Sequence, residues 1–383
     1  MIDLKARVDR LTDEQRMIQE SAASFFSTEG DYKRIRARRG VSPGYDQKIW
    51  EDMAKLGWLG LCLPEKYNGS GLGFAEASLL LEQGGRALAP EPFISAALLA
   101  GGAVLHGDND DLKAQYLPRL AAGGWKPALA WQEAASSQQA ESTLVTAVAA
   151  GGEFTLTGSK HFIPAAEGAD AFVVAARASA GTALFLVDKG SAGTAIETHP
   201  RVDGGFFGTL RLSGVRVPAS RCAASPSAGK AVLERVLDEG RLAVSAELLG
   251  VMSRALEISV AYIRQREQFG RPVGSFQALQ HRAVDLLILT ELSRSVLIRS
   301  AIVFDADENP TRRAIAASQA KARCSDAALK VAKGCVQLHG GIGYADECDI
   351  GLFLKKSMVL AAWLGSAAYH RRRYGELVPE AAQ

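Results

Sequence analysis

The sequence predicts an α+β protein with helical ends around a β centre. Three shifts of hydrophobic period carry that reading. From residue 1 to about 125 apolar residues recur at helical spacing, between 127 and 217 they alternate, and from Ala228 onward helical spacing returns. The expected domains are an N-terminal all-α domain (1–126), a middle β domain (127–224) and a C-terminal helical bundle (225–383). A length of 383 residues fits two or three domains.

The elements follow in order. Leu11-Thr12-Asp13-Glu14-Gln15 offers a threonine N-cap, acidic first-turn residues and a glutamine at the capping-box position, so a helix begins there. A second helix spans about Asp46–Leu56 and stops at Gly57. The segment LGLCLPEKYNGSGLG (59–73) is loop, and helix resumes over Phe74–Ala87 and near Pro92–Leu105. The runs at 171–178, 183–189 and 209–217 are short, β-branched and bounded by Gly, Ser and Pro, which predicts a compact β-barrel or sandwich. Four long apolar-periodic stretches, at about 229–265, 275–304, 311–338 and 350–373, predict an antiparallel four-helix bundle.

Composition excludes several classes. Hydrophobic residues make up 48%, charged residues 22%, and the net charge is +2, without the basic stripe expected of a nucleic-acid or membrane-surface protein. The five cysteines are scattered and lack CxxC spacing, so they read as thiols of a reducing compartment. The charged N-terminus has no apolar core, and no run of about 18 apolar residues occurs; the expectation is a cytoplasmic protein without a signal or a span. GxGxxG after a strand, GxxxxGK[ST], HExxH and GxSxG are all missing. The six histidines show no ligand spacing, so no metal is expected.

Three local features stand out. In RLAVSAELLGVM (241–252) only Ser245 and Glu247 are polar between Leu242 and Met252. A carboxylate there is either paired with an arginine from a neighbouring helix, or it is a functional base facing a cavity. In RQREQFGRPVGSFQALQHR (264–282) four arginines and four glutamines surround a Gly-Pro break between two long helices. This is either solvated charge at a turn or an anion site at the helix start near Ser275. In QLHGGIGY (337–344) adjacent glycines form either a plain helix stop or a close backbone approach to a ligand.

Together these segments resemble the acyl-CoA dehydrogenase family along the whole chain. LTDEQRMIQES resembles its first helix, LGWLGLCLPEKYNGSGLG its glycine-rich loop, and REQFGRPVGSFQALQHR and QLHGGIGY its two C-terminal motifs. AEL-LG, FQALQHR and HGGIGYADECDIGLFLKK look most like subunits of steroid or dicarboxylate degradation, such as pimeloyl-CoA dehydrogenase small subunits. The resemblance implies FAD as cofactor, an acyl-CoA substrate and electron-transfer flavoprotein as acceptor. It also implies a homodimer, a homotetramer or an α2β2 heterotetramer. The implied reaction removes the α-proton to a carboxylate and the β-hydrogen as hydride to flavin N5.

The family usually holds its base in a C-terminal YEGT segment, which matches Trp363-Leu364-Gly365-Ser366 here, with leucine in place of glutamate. A minority place it on the first long C-terminal helix, at a position matching Gly240. Steroid-type members use the glutamate of A-E-x-x-G, which is Glu247; Glu239 is the runner-up. Arg266, Phe269, Gln277, Gln337 and Gly341 match flavin contacts made across a subunit interface, and Asp238 and Arg241 match residues of the acyl-CoA channel. The family's TEPGAGSD and WIT stretches correspond to Gln132–Gln138 and to Phe162-Ile163-Pro164, so the GSD element is lost and Pro164 brings no N–H. Two alternatives follow: a non-catalytic subunit completing the FAD pocket of another chain, or a flavin monooxygenase or nitroalkane-oxidase-like enzyme on the same fold.

Overall fold

The computed structural model describes residues 11–29, 32–133 and 144–381. Helix α1 (Asp13–Glu29) opens on the expected reciprocal cap. The Gln15 amide donates to Thr12 Oγ1 at 3.1 Å, and the Thr12 amide donates to Gln15 Oε1 at 3.2 Å. The seven-residue α2 (Tyr32–Arg38) had no apolar signature because it buries only Ile35 among four basic residues. Helix α3 (Gln47–Lys55) is capped by Asp46 and ends before Gly57, which takes φ 75°. Helix α4 (Phe74–Arg86) follows the loop. The expected helix near 92–105 is π-helical over Phe93–Ala100 and becomes α5 (Gly101–His106). Helix α6 (Asp110–Ala121) was not expected; it accommodates Pro118 in its interior.

Among the described residues eight strands form the centre: β1 (Pro127–Ala130), β2 (Thr146–Ala150), β3 (Glu153–Pro164), β4 (Ala171–Ala178), β5 (Gly181–Asp188), β6 (Thr194–Pro200), β7 (Phe206–Pro218) and β8 (Cys222–Ala224). They make one sheet in the order β6-β7-β3-β2-β4-β5-β8, with β1 parallel to β4. The sheet is buried on both sides at its middle. In β4, Phe172, Val174 and Ala176 enter the sheet's own core, whereas Ala171, Val173 and Ala175 join the helical core. That double burial is why 171–178 reads as a continuous apolar run instead of alternating.

The C-terminal part holds α7 (Gly229–Gln265), a short hairpin of β9 (Glu267–Gln268) and β10 (Arg271–Pro272), α8 (Gln277–Ala306), α9 (Pro310–His339), α10 (Ile350–Ala362) and α11 (Ala367–Ala381). The bundle expectation is therefore corrected at its end, where one helix over 350–373 is two. The break lies at Leu364 (φ 60°) and Gly365 (φ 106°), both left-handed, which no α-helix continues through. By length and apolarity alone Ile350–Pro379 would suffice to cross a membrane, yet it is broken at this turn and 56% of its most apolar window is buried inside the fold.

Helices α4 and α7 touch backbone to backbone. A Cβ on Gly250 would lie 1.9 Å from Glu82 O, and one on Gly85 would lie 2.1 Å from Glu247 O. Beside this crossing, Arg294 Nη1 reaches both Glu82 carboxylate oxygens, at 2.9 and 2.7 Å. Gly250→Ala must therefore push the helices apart, and we expect a loss of about 1–3 kcal/mol from overpacking. Chemical denaturation checks this as a lower midpoint at unchanged slope.

Candidate active site

The three parts of the chain meet around a cavity of about 120 Å³. Its walls come from residues 88–95 after α4, from Pro164 and Ala165 at the end of β3, from residues 201 and 203–206, and from Glu247, Leu352, Lys356, Leu360 and Trp363. Glu247 is 8% exposed. Its Oε1 lies 2.7 Å from Lys356 Nζ, so its partner is a lysine of α10 and not the arginine expected from sequence. Among the described residues none hydrogen-bonds its Oε2. Lys356 Nζ also donates to Ala89 O at 3.3 Å. A second, half-buried pair, Arg201 with Asp203, shares the wall. Burial alone would raise the Asp203 carboxyl, but the Arg201 guanidinium outweighs that and holds it below the ordinary range.

Glu239 faces a different cavity, of about 150 Å³, together with Cys62, His106, Arg235 and Asp305. Its Oε1 lies 2.8 Å from His106 Nε2 and 3.1 Å from Arg235 Nε. Burial, with the charges of Glu239, Asp305 and Glu76, pushes the Cys62 thiol far up, so it stays protonated. The two candidate bases thus serve separate spaces, and only Glu247 shares one with Pro164 and Trp363.

The position matching the family's minority base and the one matching its usual base sit side by side. A Cβ on Gly240 would lie 2.5 Å from Leu99 Cδ2 and 2.8 Å from Leu364 Cδ1. Apolar side chains fill that spot. Behind it, Asp238 and Arg241, expected as channel residues, line neither of these two cavities. Asp238 is enclosed by Arg373 (2.6 and 2.9 Å) and by Arg241 Nη1 (2.7 Å). Burial would raise its carboxyl, but the two guanidinium charges hold it below the usual range.

This network clamps the left-handed turn at 363–366. Leu364 O accepts from Arg241 Nε at 3.3 Å and from His370 Nε2 at 2.9 Å. Lys321 Nζ donates to Ala361 O, Gly365 O and Ser325 Oγ at 3.0–3.1 Å. Burial, then the charges of Arg241 and Lys321, lowers His370 to about 2, so the ring is neutral and its Nε2 carries the donated proton. Burial lowers Lys321 to about 7.

Arg266, Phe269, Gln277, Gln337 and Gly341 are all exposed and gather at the far end of α7, α8 and α9. Stacking of Tyr262 on His339 at 4.5 Å ties two of those helix ends together. Phe269 is 90% exposed and adopts φ 56°. Glu247 and the end of α7 are separated by eighteen residues, about 27 Å of helix. One chain therefore does not bring these residues to its own cavity. An exposed guanidinium, aromatic ring and amide fit the diphosphate and adenine end of FAD. Of the stretch Gln132–Gln138, residues 134–138 lie outside the described residues. Glu133 accepts from the Val145 amide (2.8 Å) and from buried Lys160 Nζ (2.6 Å). Pro164 does line the central cavity, where it offers no N–H.

Sequence reasoning missed Lys356, Lys321 and the Arg201–Asp203 pair. The first had a signal of the kind that flagged Glu247, since Lys355-Lys356 interrupts an apolar run in α10. Lys321 had none, because two of its three partners lie in the distant segment 361–365, and although Arg201 and Asp203 are two residues apart, nothing in the sequence marks their loop as a cavity wall.

Residues 12–124 match the family model for the acyl-CoA dehydrogenase N-terminal domain and residues 227–378 that for the C-terminal domain. A probable acyl-CoA dehydrogenase of Bacillus subtilis, YngJ, is 28% identical over 94% of this chain and 97% of its own length. Among solved structures, the Tcur3481–Tcur3483 steroid ACAD is 32% identical with a TM-score of 0.87, covering 97% of this chain and 99% of that one. The ChsE4–ChsE5 complex from Mycobacterium tuberculosis is 26% identical with a TM-score of 0.88, covering 97% and 98%.

The clamp has a measurable pH signature. With Lys321 at about 7 when folded and near 10.5 when unfolded, the unfolded chain binds more protons between those values. Stability contributed at this site is therefore lowest below pH 7 and rises as pH climbs towards 10.5, by up to about 1.4 kcal/mol per unit. Lys321→Met removes that dependence, so wild type should gain on the variant as pH rises through this window in denaturation titrations.

Proposed function

Because the chain belongs to the acyl-CoA dehydrogenase family, we propose that it carries out α,β-dehydrogenation of an acyl-CoA thioester with Glu247 as the α-proton base. The observation that carries this reading is the placement of Glu247 on the one cavity that Pro164 and Trp363 share. Those two positions match the segments that cradle the flavin and hold the usual base in the family. Family members bind FAD, which when bound supplies the two-electron oxidation that takes the β-hydrogen. Arg266, Phe269 and Gln277 would hold its diphosphate and adenine end from the neighbouring subunit, with Gln337 and Gly341 beside them.

The chain's own residues account for the rest. The cavity excludes water around the thioester, which strengthens each polar interaction inside it. Glu247 Oε2 accepts the α-proton as the β-hydrogen leaves with its electron pair, and a carbon–carbon double bond forms. Aliphatic packing of Leu99 and Leu364 against Gly240 leaves no acceptor at the two other positions the family uses. Similarity to steroid ACAD structures supports a bulky acyl group. Glu247→Gln keeps the shape and removes the acceptor, so we expect a loss of about 10²–10⁴-fold in anaerobic bleaching of the flavin by acyl-CoA, with flavin still bound. A near-normal Glu247→Gln beside a dead Glu239→Gln would move the base to the second cavity.

The assembly is part of this proposal. Val284, Ile288, Leu292, Ile298 and Ile302 are 39–56% exposed and recur on one face of α8, an apolar stripe that a second subunit would cover. A dimer, or a dimer of dimers, closes both this stripe and the FAD site, with an electron-transfer flavoprotein receiving the electrons. The substitutions at Gly240, Leu364 and Pro164 also support a second reading, a non-catalytic subunit that completes another chain's flavin site. Flavin stoichiometry separates the two: one flavin per chain in the protein expressed alone favours the first, and flavin only on co-expression with a second dehydrogenase-like chain favours the other. In either case Arg266→Ala removes a charge-assisted contact worth about 1.5–3 kcal/mol. The expected result is a lower flavin-to-protein absorbance ratio at the same oligomeric mass by light scattering.

A further inference from the structure

The proton acceptor is not alone on its wall, and its companion joins three elements. Glu247 projects from the middle of α7, Lys356 from α10, and Ala89 lies in the connection between α4 and the π-helical stretch. The ammonium of Lys356 sits between them, 2.7 Å from Glu247 Oε1 and 3.3 Å from Ala89 O. Both side chains are close to nine-tenths buried, at 10% and 11% exposure. A glutamate has three side-chain torsions, and at a cavity wall nothing intrinsic fixes which way its carboxylate faces. A buried carboxylate without a partner is also strongly disfavoured in its charged form. One oxygen is held by the ammonium, and the other is without a partner among the described residues.

Resting on the assignment of Glu247 as the base, we infer that Lys356 is the positioning residue of the reaction. It binds Oε1 and fixes the plane of the carboxylate, so that Oε2 is presented to the cavity as the proton acceptor. The anchor on Ala89 O makes that orientation a property of the cavity wall and not of Glu247 alone. An ammonium suits this task better than a guanidinium would, since a point donor engages one oxygen and leaves the other open, whereas a planar fork tends to occupy both.

The test is a double-mutant cycle on the holoenzyme, read as anaerobic flavin reduction by an acyl-CoA substrate and as steady-state kcat and KM. Lys356→Met should lower kcat about 10- to 100-fold, the scale of a misplaced reacting group, with KM changed little and flavin content unchanged. The Glu247→Gln/Lys356→Met double variant should be no slower than Glu247→Gln alone, because a positioning role has nothing left to position. Lys356→Arg keeps the charge but not the single-donor geometry, so it should recover only part of the lost kcat; should the methionine variant fail to fold, the arginine variant and its double with Glu247→Gln carry the same comparison. A raised KM at wild-type kcat would make Lys356 a substrate-binding group and overturn the inference. So would additive losses in the cycle, or a wild-type kcat for Lys356→Met beside an inactive Glu247→Gln. An active Glu247→Gln would instead remove the assignment of the base beneath it.

Discussion

The contact on which the site depends is the backbone crossing of α4 and α7 at Gly85 and Gly250. Each glycine meets a carbonyl of the other helix at a distance that no side chain allows. One of those carbonyls belongs to Glu247 and the other to Glu82, the buried partner of Arg294. The crossing therefore sets the depth at which Glu247 stands, and α7 carries that position through the whole C-terminal part. The π-helical stretch, α10 and the loop at 201–206 are arranged around a point that the two glycines define.

Charge distribution around α7 follows the same logic of separation. Asp238, Glu239 and Glu247 lie on one helix within ten residues, yet each has its own environment. Asp238 is locked between two guanidinium groups, Glu239 meets an imidazole and an arginine at a second cavity, and Glu247 meets one ammonium at the cavity shared by all three parts. Three carboxylates with three sets of partners cannot exchange roles. The turn at 363–366 is held just as firmly, by three side chains that donate to Leu364 O and Gly365 O, although position 364 carries only a leucine. That turn carries no carboxylate, while Glu247 on α7 lines the central cavity.

Much of this was legible in the residues. The Thr12–Gln15 cap, the glycine stop at 57, the three shifts of period and the long helices α7, α8 and α9 all follow from local rules, because each depends on neighbours in sequence. The isolated polarity of Glu247 showed that it needed a partner or a cavity, and it has both. What was not legible depends on distant contacts. That the partner is a lysine follows from which helix packs against α7 there, since α10 carries Lys355 and Lys356 and no arginine. The split between α10 and α11 is imposed by carbonyl contacts from α7, α9 and α11, against a sequence apolar enough to continue. Strands β2 and β6 were missed because they lie where burial is slight, so they lack a strong alternation. The burial of Asp238 and Arg241 was hidden for a different reason, since Arg373 comes from the far end of the chain.

The π-helical stretch Phe93–Ala100 has an evolutionary meaning that its packing alone does not express. A wider helical turn holds an extra residue without rotating the segments before and after it, so it absorbs an insertion that an α-helix would pass on as a change of face of about 100°. Its eight side chains are all buried, and Phe93, Ile94 and Ser95 line the same cavity as Glu247. The chain can thus lengthen or shorten this wall one residue at a time while α5 keeps its register. The shape of the cavity becomes a character that single-codon insertions and deletions can alter, while α7 stays where it is.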